Sequence, residues 1–235
     1  MPLPRLLVFD LDGTLIDSSR DLCNSVNATL VHVGKPELPH ELISTYIGDG
    51  AAMLVRRAIG DPGDLDSQNP ADSTGDLFHR AYEYFLDYYR AHKLDHTLTY
   101  LGVLESLTAI RILHPHLPMA VLTNKPVVPS RAICEALGLA PFFFQNYGGN
   151  SFPTKKPDPE GLLTLIAEAN ALGANHITPA DTVMIGDTDI DVLTARRCGA
   201  RSLGCSFGLA PHALALAHPD VTVAHASEWP TALGL

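Results

Sequence analysis

Long apolar runs are missing from this 235-residue chain. No window approaches the ~20 apolar residues that a membrane-crossing helix requires. Before Asp10 the N-terminus carries one Arg and only a short apolar run, too short for the core of a signal peptide. Cysteine is sparse as well. Cys23, Cys134, Cys198 and Cys205 are scattered and form no Cys-x-x-Cys pair, which predicts buried free thiols in a reducing compartment. The expected location is therefore the cytoplasm. Positive charge is also scarce: 16 Lys and Arg stand against 26 Asp and Glu, a net charge of −10. That argues against bulk binding to nucleic acid or to an anionic membrane, but leaves room for a local basic pocket that takes a phosphate. Repeats and low-complexity tracts are absent too.

What is present suits a globular protein of enzyme size, with 46% hydrophobic and 18% charged residues. The length fits one large domain, or a core carrying an insertion. Leu6-Leu7-Val8-Phe9 is a continuous apolar run, expected as a strand buried on both faces. Beyond it, residues 17–95 read as helical. Apolar spacing marks helices over 20–33, 39–46, 51–59 and 76–92, with Ser18 or Ser19 as the first N-cap and Asp21 in the first turn. Residues 60–75 are rich in Gly, Pro, Asp, Ser and Asn and read as a loop. Later the pattern alternates. Apolar strands are expected at 119–122, 182–185, 201–205 and 221–224, with a short one near 142–147. Helices are expected after Gly102, over 129–137, from Pro159 to Gly173 with Asp158 as cap, and over 190–198. Strands alternating with helices predict a doubly wound, mostly parallel, Rossmann-like α/β core. The helical stretch forms an inserted all-helical domain. The expected division is 1–16 and 96–235 for the core and 17–95 for the insertion.

Three apolar strands end in polar clusters: Asp10 and Asp12, Thr123-Asn124-Lys125, and Gly186-Asp187. In a parallel sheet these ends share one edge, where ligands bind. Lys155-Lys156-Pro157 lies in a loop able to bring a cation there. Each piece has a plainer explanation. Asp10 and Asp12 serve equally as turn and cap residues, Asp187 to Asp191 as acids favoured by a helix N-terminus, Thr123 as a strand residue and Lys156 as a solvated charge. Together they match what phosphoryl transfer needs: a carboxylate nucleophile, a second acid, a divalent cation taking oxygen ligands, and a hydroxyl and an ammonium for the phosphoryl oxygens. His92 and His96, and His114 and His116 around Pro115, have no Cys or Glu to complete a zinc site and read as surface histidines. Tyr82, Tyr84, Phe85, Tyr88 and Tyr89 read as helix packing rather than a base-stacking surface.

Phe9-Asp10-Leu11-Asp12-Gly13-Thr14-Leu15-Ile16-Asp17-Ser18 resembles the first motif of the haloacid dehalogenase-like hydrolase superfamily. Thr123 closes a second motif, Lys156 before Pro157 matches the third, and Gly186-Asp187-Thr188-Asp189-Ile190-Asp191 matches the fourth. The helical stretch falls where the helical-cap subfamily inserts its cap. Leu122-Thr123-Asn124-Lys125-Pro126, Lys155-Lys156-Pro157-Asp158-Pro159 and Ile47-Gly48-Asp49-Gly50 are similar to the phosphoglycolate phosphatase branch. Leu101 departs from it, standing where that branch usually has Pro.

The resemblance implies a Mg²⁺-dependent phosphatase acting on a small phosphorylated metabolite, 2-phosphoglycolate first among them, through an aspartyl-phosphate. It makes Asp10 the nucleophile and Asp12 the acid and base. Thr123, Asn124 and Lys156 become phosphate ligands, and Gly48, Asp49 and Gly50 cap residues over the substrate. Asp10, Asp187 and the backbone carbonyl of Asp12 hold the metal. Asp191 holds a metal-bound water or orients Lys156; Asp189 is the alternative with poorer spacing. The alternatives are a phosphomutase or sugar-phosphate phosphatase of the same fold, and a catalytically idle regulatory or scaffold protein. A dehalogenase is disfavoured because that branch lacks the second acid. A monomer or homodimer is expected, with no nucleic-acid or membrane partner.

Overall fold

The computed structural model describes residues 3–61, 76–173 and 176–235. The predicted loop over 60–75 lies outside them from residue 62 onward. The chain divides into two compact units, Met1–Asp17 with Leu98–Leu235, and Ser18–Thr97.

The larger unit is built on six parallel strands: β1 (Leu6–Phe9), β4 (Met119–Leu122), β5 (Gln145–Tyr147), β6 (Thr182–Gly186), β7 (Arg201–Cys205) and β8 (Val221–Val223). Their order across the sheet is β5-β4-β1-β6-β7-β8. The apolar runs are explained by what covers each face. Side chains alternate along a strand, so Leu7 and Phe9 of β1 face one way with Met119, Val121, Val183 and Ile185. There they meet Val103, Leu107 and Ile110 of α5 (Val103–Leu113) and Trp229 and Leu233 of α10 (Trp229–Leu233). Leu6 and Val8 face the other way with Ala120, Leu122 and Met184. They meet Leu162, Leu165, Ile166 and Ala169 of α7 (Glu160–Ala171) and Ala195 of α8 (Asp189–Cys198). With helices on both faces, the central strands have no solvated side, and an alternating pattern would have left polar groups buried.

The chain reaches β4 and β5 on one side of β1 before crossing to β6 on the other. That reversal is a topological switch point, and it puts the C-terminal ends of β4, β1 and β6 side by side. Register confirms the alignment: Phe9 pairs with both Val121 and Ile185. The remaining helices of the unit are α6 (Val127–Ala136) and α9 (Pro211–Ala217). A two-stranded antiparallel ribbon, β2 (Ile16–Asp17) with β3 (Leu98–Thr99), joins the two points where the chain leaves and re-enters.

The smaller unit contains α1 (Ser19–His32), α2 (His40–Ser44), α3 (Ala51–Ile59) and α4 (Asp76–His92), packed around Leu22, Val26, Leu30, Ile43, Val55, Phe78 and Phe85. Ser18 occupies the N-cap position of α1, but its hydroxyl makes no capping bond. Asp21 is not a solvated first-turn acid. It is buried, and its Oδ2 accepts from the backbone N–H of His96 (2.9 Å) and Thr97 (2.8 Å) and from the Thr97 hydroxyl (2.8 Å). This closes the helical unit on itself. Elsewhere boundaries shift slightly. Pro159 takes the N-cap of α7 rather than its first turn, while Asp158 Oδ1 still accepts from the Glu160 N–H at 2.9 Å. Residues 140–142 form a 3₁₀ turn, and the short strand is confined to 145–147.

Trp229 is fully buried, its ring 5.3 Å from Phe9 and 6.5 Å from Phe207 between centroids. Truncating so large a buried side chain leaves a cavity the sheet cannot close. Trp229→Ala is expected to cost about 3–5 kcal/mol, read from urea unfolding by far-ultraviolet circular dichroism. A loss under ~1 kcal/mol would mean that α10 contributes little to the core.

Candidate active site

The loop after β1 turns sharply. The Leu11 carbonyl accepts from the N–H of Leu15 (2.9 Å) and Ile16 (3.1 Å), and Gly13 adopts φ +84°. Gly13 is required on a second count. A Cβ there would lie 2.1 Å from Asp187 Oδ2. Two further glycines close around the same acids. A Cβ on Gly208 would lie 2.3 Å from Asp187 Cβ, and one on Gly186 2.2 Å from Asp191 Cγ. Only backbone without side chains leaves room for carboxylates packed this tightly.

Each acid is held by specific donors. Asp187 is fully buried at the end of β6; Thr14 Oγ1 donates to its Oδ1 at 3.2 Å and the Leu209 N–H to its Oδ2 at 2.8 Å. Asp191 and Thr188 form a capping box at the start of α8, with Asp191 Oδ2 accepting from the Thr188 N–H (3.1 Å) and hydroxyl (2.8 Å). Lys156 Nζ lies 2.9 Å from Asp10 Oδ1 and 2.6 Å from Asp191 Oδ1, with its side chain 2% exposed. Asn124 Nδ2 donates to the Lys156 carbonyl at 3.1 Å, tying the end of β4 to that lysine's loop. Thr123 is buried, and its hydroxyl accepts from the Lys125 N–H at 3.2 Å.

The predicted residues Asp10, Asp12, Thr123, Asn124, Lys156, Asp187 and Asp191 therefore all stand on one edge of the sheet. Gly48, Asp49 and Gly50 belong to the helical unit. There Gly48 and Gly50 take φ +125° and +89°, and Asp49 pairs with Arg57. Two features escaped the sequence. Lys125 is buried, with its ammonium 3.0 Å from both Oδ1 and Oδ2 of Asp12. The Gly208-Leu209 backbone seats Asp187. A signal for the second did exist, since a loop following strand 201–205 must emerge at the same sheet edge.

Electrostatics follow from this packing. Burial pushes the Asp10 carboxyl up; Lys156 pulls it down, Asp191 pushes it up again, and the result is about 6. Burial, then the charges of Asp191 and Asp10, hold Asp187 well above the usual carboxylate range. Burial alone would push the Lys156 ammonium down, but Asp10 and Asp191 outweigh it and the group stays charged. Four carboxylates thus face two ammonium groups. The excess of two negative charges is what a divalent cation would offset. Asp10, Asp187 and Asp191 each offer an oxygen within 4.8 Å of one another, and among the described residues no other such cluster occurs. An all-oxygen, net-negative donor set fits a hard cation such as Mg²⁺.

A family model described as haloacid dehalogenase-like hydrolase matches residues 7–205. The chain belongs to the haloacid dehalogenase-like hydrolase family. Among the family's curated members it is 39% identical, over 206 residues, to a phosphoglycolate phosphatase of Chromobacterium violaceum, covering 88% of this chain and 86% of that one. It is 36% identical over 218 residues to a phosphoglycolate phosphatase of Neisseria meningitidis, covering 93% and 86%. A crystal structure described as a predicted phosphoglycolate phosphatase from Haemophilus somnus superposes with a TM-score of 0.86 at 29% identity, over 98% of each chain.

The raised Asp10 carboxyl has a sign that can be measured. A carboxyl whose folded value exceeds its unfolded value of about 4 stabilises the fold relative to its ionised state below that value. That stability is lost as pH rises through about 6. In EDTA, Asp10→Asn is therefore expected to be more stable than wild type at pH 7, with the margin shrinking as pH falls toward about 4. Chemical unfolding across that range checks it. A margin that does not change with pH would show that ionised Asp10 imposes no cost.

Proposed function

We propose that the chain is a phosphatase that hydrolyses 2-phosphoglycolate, or a small phosphate monoester close to it, through an aspartyl-phosphate on Asp10 and with Mg²⁺. The observation that carries this is the set of side chains at the switch point, in a family member 39% identical to a phosphoglycolate phosphatase: buried Asp10 against Lys156, Asp12 two residues on, and buried Asp187 and Asp191 beside them.

Asp10 is the nucleophile. One of its oxygens attacks phosphorus while the bond from phosphorus to the ester oxygen breaks. Asp12, in its protonated form, gives its proton to that departing oxygen. In its ionised form it then takes a proton from the water that attacks the aspartyl-phosphate, releasing phosphate and restoring Asp10. Lys156 holds Asp10 in line and, with the Thr123 hydroxyl and Asn124, faces the phosphoryl oxygens over which charge spreads. Asp187 and Asp10 supply side-chain oxygens to the cation, and Asp12 its backbone carbonyl. Asp191 has one oxygen engaged by Lys156 and the other by Thr188, which suits it to positioning Lys156 beside Asp10. When bound, Mg²⁺ supplies positive charge that lets a dianionic ester approach a carboxylate. The helical unit is the cap, with Gly48, Asp49 and Gly50 as its substrate-choosing loop. All four cysteines are buried free thiols, which suits the reducing cytoplasm.

Phosphate release from a panel of 2-phosphoglycolate, sugar phosphates and nucleotides, with Mg²⁺ or EDTA, tests the function. One ester should stand out, require Mg²⁺, and lose turnover on the order of 10⁴-fold or more in Asp10→Asn. Broad and feeble turnover would remove the phosphoglycolate assignment. Equal inactivity of wild type and variant would remove the phosphatase.

A further inference from the structure

Lys125 is the one charged group of the cluster for which the proposed mechanism has no use. Its side chain is 3% exposed, and that of its partner Asp12 is 14% exposed. A buried ammonium needs a partner, and this one faces a carboxylate edge-on, with 3.0 Å to each oxygen. Two equal contacts to one nitrogen fix the rotation of the Asp12 carboxylate as well as its place.

The lysine is itself held from behind. Its N–H donates to Thr123 Oγ1 at 3.2 Å, and its carbonyl accepts from the Gly149 N–H at 2.9 Å. The turn after β5 presses directly on this peptide. A Cβ on Gly148 would lie 2.5 Å from the Lys125 carbonyl oxygen, and one on Gly149 2.4 Å from that of Asn124. A mechanical chain therefore runs from Gly148-Gly149 through the Asn124-Lys125 backbone to the ammonium and on to Asp12. It parallels the way Lys156 holds Asp10.

We propose that Lys125 is a positioning residue for Asp12: it aims the carboxyl that exchanges protons with the leaving oxygen and with water. Lys125 keeps its own protons throughout. The proton that Asp12 gives up as the ester bond breaks returns to it from the water that cleaves the aspartyl-phosphate. The role rests on Asp12 being the acid and base, and the test separates the two.

The readout is kcat/KM for two esters. 2-Phosphoglycolate leaves as an alkoxide that needs a proton, whereas 4-nitrophenyl phosphate leaves as a stable phenolate that does not. Lys125→Met is expected to lose about 10²-fold on the first and under ~3-fold on the second. Gly149→Ala, which retains the lysine but displaces its backbone, should fall in the same order with a smaller ratio, and it carries the test if Lys125→Met does not fold. Asp12→Asn is the reference and should discriminate at least as strongly. Equal losses on both esters in the Lys125 and Gly149 variants would overturn the proposal, leaving the lysine a substrate contact or a structural pair. Discrimination by Asp12→Asn alone would overturn it while sparing the role of Asp12. No discrimination by Asp12→Asn would remove that role and the proposal together.

Discussion

Four carboxylates crowded against two ammonium groups at the ends of three parallel strands are the constraint to which the rest of the molecule answers. Left alone, such a cluster opposes folding. Burial drives Asp10 and Asp187 toward their neutral forms, and only Lys156 pulls back on both. The apolar core of the sheet, packed by helices on both faces, offsets that cost. Gly13, Gly186 and Gly208 are part of the same answer. Any Cβ at those positions would sit within about 2.3 Å of Asp187 or Asp191, a distance no real Cβ contact adopts. Three glycines of the site are thus fixed by the acids they surround, and only Gly13 of the three needs its positive φ.

Much of this was legible because the signals are local. Leu6-Leu7-Val8-Phe9, Met119-Ala120-Val121-Leu122 and Thr182-Val183-Met184-Ile185 are continuous apolar runs, and only a strand buried on both faces accounts for them. Once these are parallel strands, geometry alone puts Asp10, Thr123 and Asp187 on one edge. What stayed hidden depends on distance along the chain. The Lys125–Asp12 pair spans 113 residues and the Leu209–Asp187 bond 22. Nothing in the composition around Lys125 distinguishes a buried lysine from a solvated one. Trp229 is hidden for a different reason: α10 is five residues long, too short for helical periodicity to appear.

Asp21 illustrates how a correct local rule can conceal the interaction that matters. An acid in the first turn of a helix is favoured by the helix dipole, and Asp21 does stand in the first turn of α1. Its burial, however, is maintained by three donors at His96 and Thr97, 75 and 76 residues away. Sequence patterns place it in a first helical turn, whereas the structure makes it the closure of the helical unit.

That closure bears on how a core can carry so long an insertion. Some 80 residues, Ser18–Thr97, interrupt the core between the turn after β1 and the ribbon strand β3. Treated as a flexible loop, such an insertion would cost closure entropy that grows only with the logarithm of its length. The cost falls further if both ends are tied. The core brings its two ends together through the β2–β3 ribbon, Ile16 opposite Thr99 and Asp17 opposite Leu98. The insertion brings its own ends together through Asp21 and Thr97. Each unit thus meets the junction with its chain ends already paired, and neither relies on the other for that pairing. On one link a single peptide bond, Thr97 to Leu98, separates the two ties; on the other, Ser18, Ser19 and Arg20 stand between Asp17 and Asp21.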